Sequence, residues 1–169
     1  MHVVISESTL LKALHEQGLA QDLLSSGHHF HVVDIFLHQR DLSDQITDLL
    51  GFGLLREELS PAQMGRLKQL RRVYPALCVG NLASLVLSEA LACPILAGNT
   101  GLGTMPAVAD QGLLDLSWVM DELEAFISPD RMHQSFSAIV ANGRYHLHLH
   151  SPEVAVRLQR YARVVSSLG

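Results

Sequence analysis

The sequence is poor in cysteine and lacks long apolar segments. It contains only two cysteines in 169 residues, which excludes the small secreted folds that disulfides hold together. No apolar run approaches the roughly 18 residues of a membrane-spanning helix, and the opening MHVVISES lacks the basic and long apolar stretches of a secretion signal. We therefore expect a protein of the reducing cytoplasm with no membrane partner.

Positive charge is also scarce. The chain has 12 Lys and Arg residues against 17 Asp and Glu residues, which gives a formal net charge of −5. Proteins that grip nucleic acid through its phosphates usually present a basic surface. The overall charge argues against such a surface over the whole molecule, although a local basic patch is compatible with it.

Apolar residues are plentiful, at 48% of the chain, which is enough for a substantial single core. Short apolar, β-branched segments alternate with segments of helical periodicity and good helix starts such as Ser60-Pro61. This alternation predicts a three-layer α/β/α fold with a mostly parallel central sheet of four to five strands. The predicted strands lie at residues 2–6, 29–33, 54–59, 94–97 and 113–116.

The chain changes character after residue 126. Ser128-Pro129 and Ser151-Pro152 are two further helix starts, with serine as the cap and proline in the first turn. We therefore predict a main domain over residues 1–126 and a helical C-terminal extension over residues 127–169 that packs on it.

Four polar positions follow predicted strands or open predicted helices. In parallel sheets, ligands bind outside the carboxyl ends of the strands. This rule singles out Glu7, Asp34, Asn81 and Asn99 as candidate site residues. Asparagine is also a good helix N-cap, so a purely structural capping role for Asn81 and Asn99 is the competing interpretation.

Three segments in the same order resemble the PIN-domain family, in particular the ribonucleases of bacterial toxin–antitoxin systems. These segments are VVISESTLL, FHVVDIFLHQ and YPALCVGNLASLVLSEALACPILAGNTGL, and the tail from ISPDRMHQSF onward also resembles the family's C-terminal extension. The resemblance covers nearly the whole chain. It implies a cluster of three or four carboxylates that holds Mg²⁺ or Mn²⁺ and promotes RNA cleavage.

The resemblance places the family's acids on residues that are mostly amides here. The first acid falls on Glu7, the second on Gln39 (or on His38 if the register shifts by one), the third on Asn81 and the fourth on Asn99. An amide keeps the shape of a carboxylate but removes its charge. One unit-charge pair at 4 Å contributes ~4 kcal/mol at an effective dielectric constant of 20. We therefore expect no tightly bound metal, and Mg²⁺ or Mn²⁺ only if some activity survives.

The resulting functional expectation is a PIN-like protein with a degenerate nuclease site and a remaining binding role. Its partner would be RNA, an antitoxin-like protein or a second copy of the chain, and the resemblance implies a homodimer formed by apolar residues on helices before Gly53. Two alternatives remain. One is a weak Mg²⁺- or Mn²⁺-dependent endoribonuclease that uses Glu7 with the amide ligands, to which Asp34 could be added, and the other is a binder of small anions or phosphate ligands at residues 98–103.

Other conspicuous residues have ordinary structural interpretations. Alternating histidines of the tail would share one side of an extended segment, but we interpret them as a solvated linker rather than a metal site. The remaining histidines of interest are expected at an edge or in a loop, the tail arginines on a solvated or ion-paired helix face, and the cysteines in the core. These groups are His146, His148 and His150; His28, His29 and His31; Arg157, Arg160 and Arg163; and Cys78 and Cys93.

Overall fold

A computed structural model describes residues 1–37, 45–97, 102, 105–142 and 152–168. Its strands are β1 (His2–Ile5), β2 (His29–Val33), β3 (Leu55–Glu57), β4 (Ile95–Leu96) and β5 (Leu113–Leu114). Its helices are α1 (Ser8–Glu16), α2 (Ala20–Leu24), α3 (Asp34–Leu37), α4 (Ile46–Gly51), α5 (Pro61–Val73), α6 (Val79–Leu91), α7 (Pro106–Gln111), α8 (Leu116–Glu124), α9 (Pro129–Ala141) and α10 (Pro152–Leu168).

The five strands form one sheet in the order β3-β2-β1-β4-β5, and every neighbouring pair is parallel. The central strand β1 pairs with β2 on one side and with β4 on the other, where Val4 lies opposite Ile95. Strands buried on both faces favour continuous apolar runs, and three of the four β1 residues are fully buried. The predicted α/β fold with a parallel central sheet is thus confirmed.

Alternate residues of β1, β2 and β4 face two separate apolar cores. Val3 and Ile5 contribute to the first core, which contains buried side chains from α1, α2, α4, α8, α9 and α10. Val4 contributes to the second core, which contains buried side chains from α5, α6 and α7. Because successive strand residues point to opposite faces, helices cover both sides of the sheet and the three-layer arrangement follows.

The C-terminal helices pack on the main body of the chain. Met132 and Phe136 of α9, together with Val154 and Tyr161 of α10, are buried in the first core. Helix α10 also forms ion pairs with α8. Arg157 pairs with Asp121, while the side chains of Arg160 and Tyr161 both contact the carboxylate of Glu124.

Side-chain caps fix several helix starts. Ser60 forms a capping box with Gln63: the Gln63 backbone N–H donates to Ser60 Oγ, and the Ser60 backbone N–H donates to Gln63 Oε1 at 2.7 Å. Ser128 accepts a hydrogen bond from the backbone of Arg131 at the start of α9. These observations confirm the helix starts that the Ser-Pro pairs predict at α5 and α9.

Helix α6 begins two residues earlier than the sequence pattern predicts. Its N-cap is Cys78, whose Sγ accepts a hydrogen bond from the backbone N–H of Asn81 at 3.4 Å. The capping interpretation of Asn81 is therefore wrong, because this residue lies inside the first turn. The prediction that Cys78 belongs to the core is also wrong, since it is exposed, whereas Cys93 is buried as expected and burial raises the pKa of its thiol.

None of the helices that the structure describes combines the length and the apolar character that a bilayer crossing requires.

Candidate functional site at the carboxyl edge of the sheet

The topology itself indicates where a site would form. The strand order changes direction between β1 and β4, and open α/β sheets bind ligands at the carboxyl ends of strands that flank such a point. Ser6 ties the two strands together there, because both its backbone N–H and its hydroxyl donate to the carbonyl of Leu96. The next residue along the chain is Glu7.

Glu7 lies between β1 and α1 at this edge. Its backbone is extended (φ −140°, ψ 116°), and it occupies the N-cap position of α1. The hydroxyl of Thr9 donates to Glu7 Oε1 at 3.1 Å. The N-terminus of a helix attracts negative charge, and α1 places its N-terminus beside this carboxylate.

Helix α6 brings Asn81 to the same edge. The Ser84 hydroxyl approaches the carbonyl of Ile5, the last residue of β1, at 3.5 Å. Further along the helix, the Ser88 hydroxyl donates to the carbonyl of Cys93, which precedes β4. Helix α6 therefore runs antiparallel to the strands, and Asn81, one turn before Ser84, lies towards the carboxyl edge. Asn81 is 8% exposed.

Asp34 follows β2 directly and begins α3, so it lies at the same end of the neighbouring strand. Its carboxylate forms an ion pair with Arg56 on β3, the strand next to β2. A cation at this carboxylate would have to compete with the guanidinium of the same chain. Asp34 is therefore a poor candidate for a metal ligand.

The remaining positions named by the resemblance, Gln39 with its neighbour His38 and Asn99, lie outside the described residues. The same holds for the loop at residues 98–103, except for Leu102, which is buried. The tail histidines at residues 146, 148 and 150 also fall outside the described ranges.

The described donors do not fit a hard divalent cation. Beside β1 and β2 at the carboxyl edge they comprise one carboxylate, from Glu7, and one neutral amide, from Asn81, while Arg56 occupies the carboxylate of Asp34. The carboxylate of Asp115, which follows β5, caps the start of α8. Among residues 1–37, 45–97, 102, 105–142 and 152–168, no three His, Cys, Asp or Glu side chains are grouped to hold a metal. Mg²⁺ is usually held by one or two carboxylates together with waters and phosphate oxygens, and the single formal charge that Glu7 would supply beside β1 attracts such an ion only weakly.

A basic surface lies beside this edge on α5. The helix carries Arg66, Lys68, Arg71 and Arg72 and no acidic residue. Arg66 forms two hydrogen bonds with Glu89 on α6, at 3.1 and 3.0 Å, and this contact raises the pKa of Arg66. The side chains of Lys68, Arg71 and Arg72 are exposed, and we call these three the α5 basic surface.

Its position follows from the connection between the two helices. Helices α5 and α6 pack against each other and are joined by only residues 74–78. The end of α5, with Arg71 and Arg72, therefore lies near the start of α6 and hence near Asn81. The basic residues are evident in the sequence. Their position near the carboxyl edge is not, because it depends on how α5 packs against α6.

A separate small cavity of about 200 Å³ lies on the other side of the sheet. It is lined by residues of the α1–α2 turn and α4, including His15, Gln21 and Phe52. His15 Nε2 is 3.2 Å from a carboxylate oxygen of Asp48. No site residue that the sequence predicts within the described ranges lines this cavity.

Comparisons of the chain with protein-family models, with curated proteins and with solved structures gave no match. The resemblance to PIN domains therefore stays a prediction, and the fold rests on the structure of this chain alone.

Proposed function

We propose that this protein is a PIN-like domain that binds RNA without cleaving it. The observation that carries the proposal is the α5 basic surface beside the carboxyl edge of the sheet. Exposed lysine and arginine side chains bind phosphates and release the counterions that condense on a nucleic acid. Arginine can also form bidentate hydrogen bonds with phosphate oxygens.

The charge distribution supports this choice of partner. Residues 61–91, which include α5 and α6, contain four basic residues and one acidic residue. The rest of the chain contains eight basic and 16 acidic residues. An anionic partner would therefore approach the α5–α6 side and be repelled by the other surfaces, which gives RNA a preferred orientation.

The absence of cleavage in this proposal rests on the donor chemistry of the edge. Glu7 brings one formal negative charge, Asn81 brings none, and the charge of Asp34 is balanced by Arg56. The carboxylate of Asp115 after β5 is engaged as the cap of α8. A divalent cation held by so few charges would bind weakly. Because the carboxyl edge carries so little negative charge, it also repels RNA phosphates bound beside α5 less strongly than a cluster of carboxylates would.

The test measures binding of a fluorescent single-stranded RNA by anisotropy over a series of salt concentrations. The double variant Arg71→Glu/Arg72→Glu should bind about tenfold or more weakly, and the slope of log K against log salt should fall by about 0.7 for each phosphate that the variant no longer neutralises. The matched control is Lys12→Glu/Arg163→Glu, which changes the net charge equally but lies on α1 and α10. Equal weakening in both variants would reduce the effect to net charge and overturn the proposed surface.

The same samples test the absence of cleavage. RNA incubated with the wild-type protein and Mn²⁺ should remain intact. Cleavage that EDTA prevents and Glu7→Gln removes would instead establish the weak endoribonuclease alternative. If no binding of RNA is detected even at low salt, RNA is not the partner. The other partners that the resemblance implies, an antitoxin-like protein or a second copy of the chain, would then be favoured.

A further inference from the structure

Three side chains form a continuous chain of hydrogen bonds across β1, β2 and β3. His31 Nδ1 is 2.8 Å from Glu57 Oε1, and His31 Nε2 is 2.8 Å from His2 Nδ1. His31 is only 4% exposed, while His2 lies at the surface. The expectation that His29 and His31 are edge or loop residues is thus wrong, because β2 is an inner strand and His31 is buried in it.

The hydrogen positions follow from the chemistry of the two ends. An ionised carboxylate only accepts hydrogen bonds, so His31 Nδ1 carries the hydrogen that is donated to Glu57. The Nε2 atom of a neutral His31 is then an acceptor, and His2 Nδ1 donates to it. The outer nitrogen of His2, Nε2, therefore remains to take up a proton from solvent.

Other charged groups surround this chain. The ring of His29 stacks on that of His2, with centroids 5.0 Å apart. The terminal ammonium of Met1 lies 3.5 Å from His28 Nδ1, and His28 Nε2 is 2.9 Å from a carboxylate oxygen of Glu122 on α8. On the helices that cover the same side of the sheet as His2 and His31, Arg66 and Glu89 pair with each other.

We propose that Glu57, His31 and His2 form an acid-sensitive clasp that holds the start of β1 against β2. A first proton enters at His2 Nε2 and leaves both hydrogen bonds in place, because His2 Nδ1 still donates to His31. A second proton must enter at His31 Nε2, where two N–H groups would then face each other at 2.8 Å. That contact is repulsive, so the clasp opens and the His2–His29 pairing loosens.

The surroundings of His2 act in the same direction. Desolvation, followed by the nearby charges of His31, His29 and the chain terminus, lowers the pKa of His2 below its ordinary value of 6.5. The folded state therefore binds fewer protons than the unfolded state near that pH. Stability from this group is present at neutral pH and is lost as the pH falls through about 6.5 and below.

A metal ion is a weaker interpretation of the same histidines. Within the part of the chain that the structure describes, no three ligating side chains are grouped to hold one. The 2.8 Å separation of the two nitrogens is that of a hydrogen bond with one shared proton.

Hydrogen exchange measured by mass spectrometry tests the clasp. Between about pH 7.5 and pH 5, protection of residues 2–5 and 29–33, corrected for intrinsic exchange, should fall about tenfold or more in the wild-type protein. It should fall less than about twofold in His2→Gln, because the side-chain amide can donate to a neutral His31 through its NH2 group and, after rotation, can accept from a protonated His31 through its oxygen. His133→Gln on α9 is the control and should behave like the wild type.

Two outcomes would overturn the proposal. One is a wild-type protein whose protection is the same at both pH values, and the other is a His2→Gln variant that loses protection as the wild type does. If His2→Gln fails to fold, nitrogen NMR of the wild-type imidazoles decides the question. His31 must then carry its hydrogen on Nδ1 near neutral pH, and a hydrogen on Nε2 would contradict the clasp.

Discussion

The helices that cover the two faces of the sheet differ in how their charges are used. On the first face, acidic residues of α8 meet the arginines of α10, so that Asp121 and Glu124 are balanced by Arg157 and Arg160. On the second face, α5 is purely basic, and within the described part of the chain its ion pairing is limited to Arg66 with Glu89. One face thus uses its charges to attach a helix, whereas the other presents its charges outward.

Basic side chains thus have two different roles in this molecule: some form ion pairs within the chain, and others are exposed to solvent. The three tail arginines and the α5 cations look alike in sequence, yet Arg157 and Arg160 are engaged within the chain. The interpretation of the tail arginines as an ion-paired face is confirmed for these two residues. On α5, in contrast, Lys68, Arg71 and Arg72 are exposed at the surface.

Truncation of the first core should have the largest effect on stability. Phe136→Ala removes a fully buried ring of α9 from that core, and we expect a loss of about 3–5 kcal/mol in the free energy of unfolding by urea. The exposed Val156 of α10 provides a control, since Val156→Ala should cost less than about 0.5 kcal/mol. A cost below about 1 kcal/mol for Phe136→Ala would show that α9 does not belong to the core.

Removal of the Glu124 carboxylate, which lies between α8 and α10, should have an intermediate effect on stability. Glu124 accepts contacts from Arg157, Arg160 and Tyr161. Glu124→Ala should cost about 1–3 kcal/mol because it leaves charged and partly buried donors without their acceptor. The comparison variant Glu89→Ala breaks an exposed pair and should cost at most about 1 kcal/mol. Equal costs in urea unfolding would remove the contrast between the two faces.

The smallest expected effect is a loss of stability at alkaline pH. Burial, followed by the hydrogen bond to Glu124 and its negative charge, raises the pKa of Tyr161 to about 12. Between the ordinary value of 10 and about 12, the unfolded chain loses this proton while the folded chain keeps it, so stability falls as the pH rises. Tyr161→Phe should flatten this fall, as followed by urea unfolding at several pH values. A wild-type tyrosine titration complete near pH 10 would contradict the buried position.

Much of the fold can be predicted because local chemistry decides it. β-Branched runs define β1 and β2, and Ser-Pro pairs define the starts of α5 and α9. The sequence pattern does not predict the helices α4 and α7, and neither has a side-chain cap at its first turn, where Gln45 and Met105 stand. The pattern also misplaces the start of α6, because cysteine is not among the residues that usually cap a helix.

The site can be predicted only in part, for a different reason. The rule for parallel sheets indicates Glu7, Asp34 and Asn81 without knowledge of the strand order. The contact of Asp34 with Arg56, and that of His31 with Glu57 and His2, each join segments that are distant in the sequence. Such contacts depend on which strands are neighbours, and a periodicity in the sequence does not contain that information.

The central position of β1 has a consequence for how the chain reaches its native state. One side of β1 can pair early with β2, but the other must wait for β4, because Val4 finds its partner only at Ile95. Contacts between such distant segments form slowly, since the loop between them must close first. Until then the middle of the future sheet is an open edge, and we expect a transient intermediate that is vulnerable to aggregation during biosynthesis.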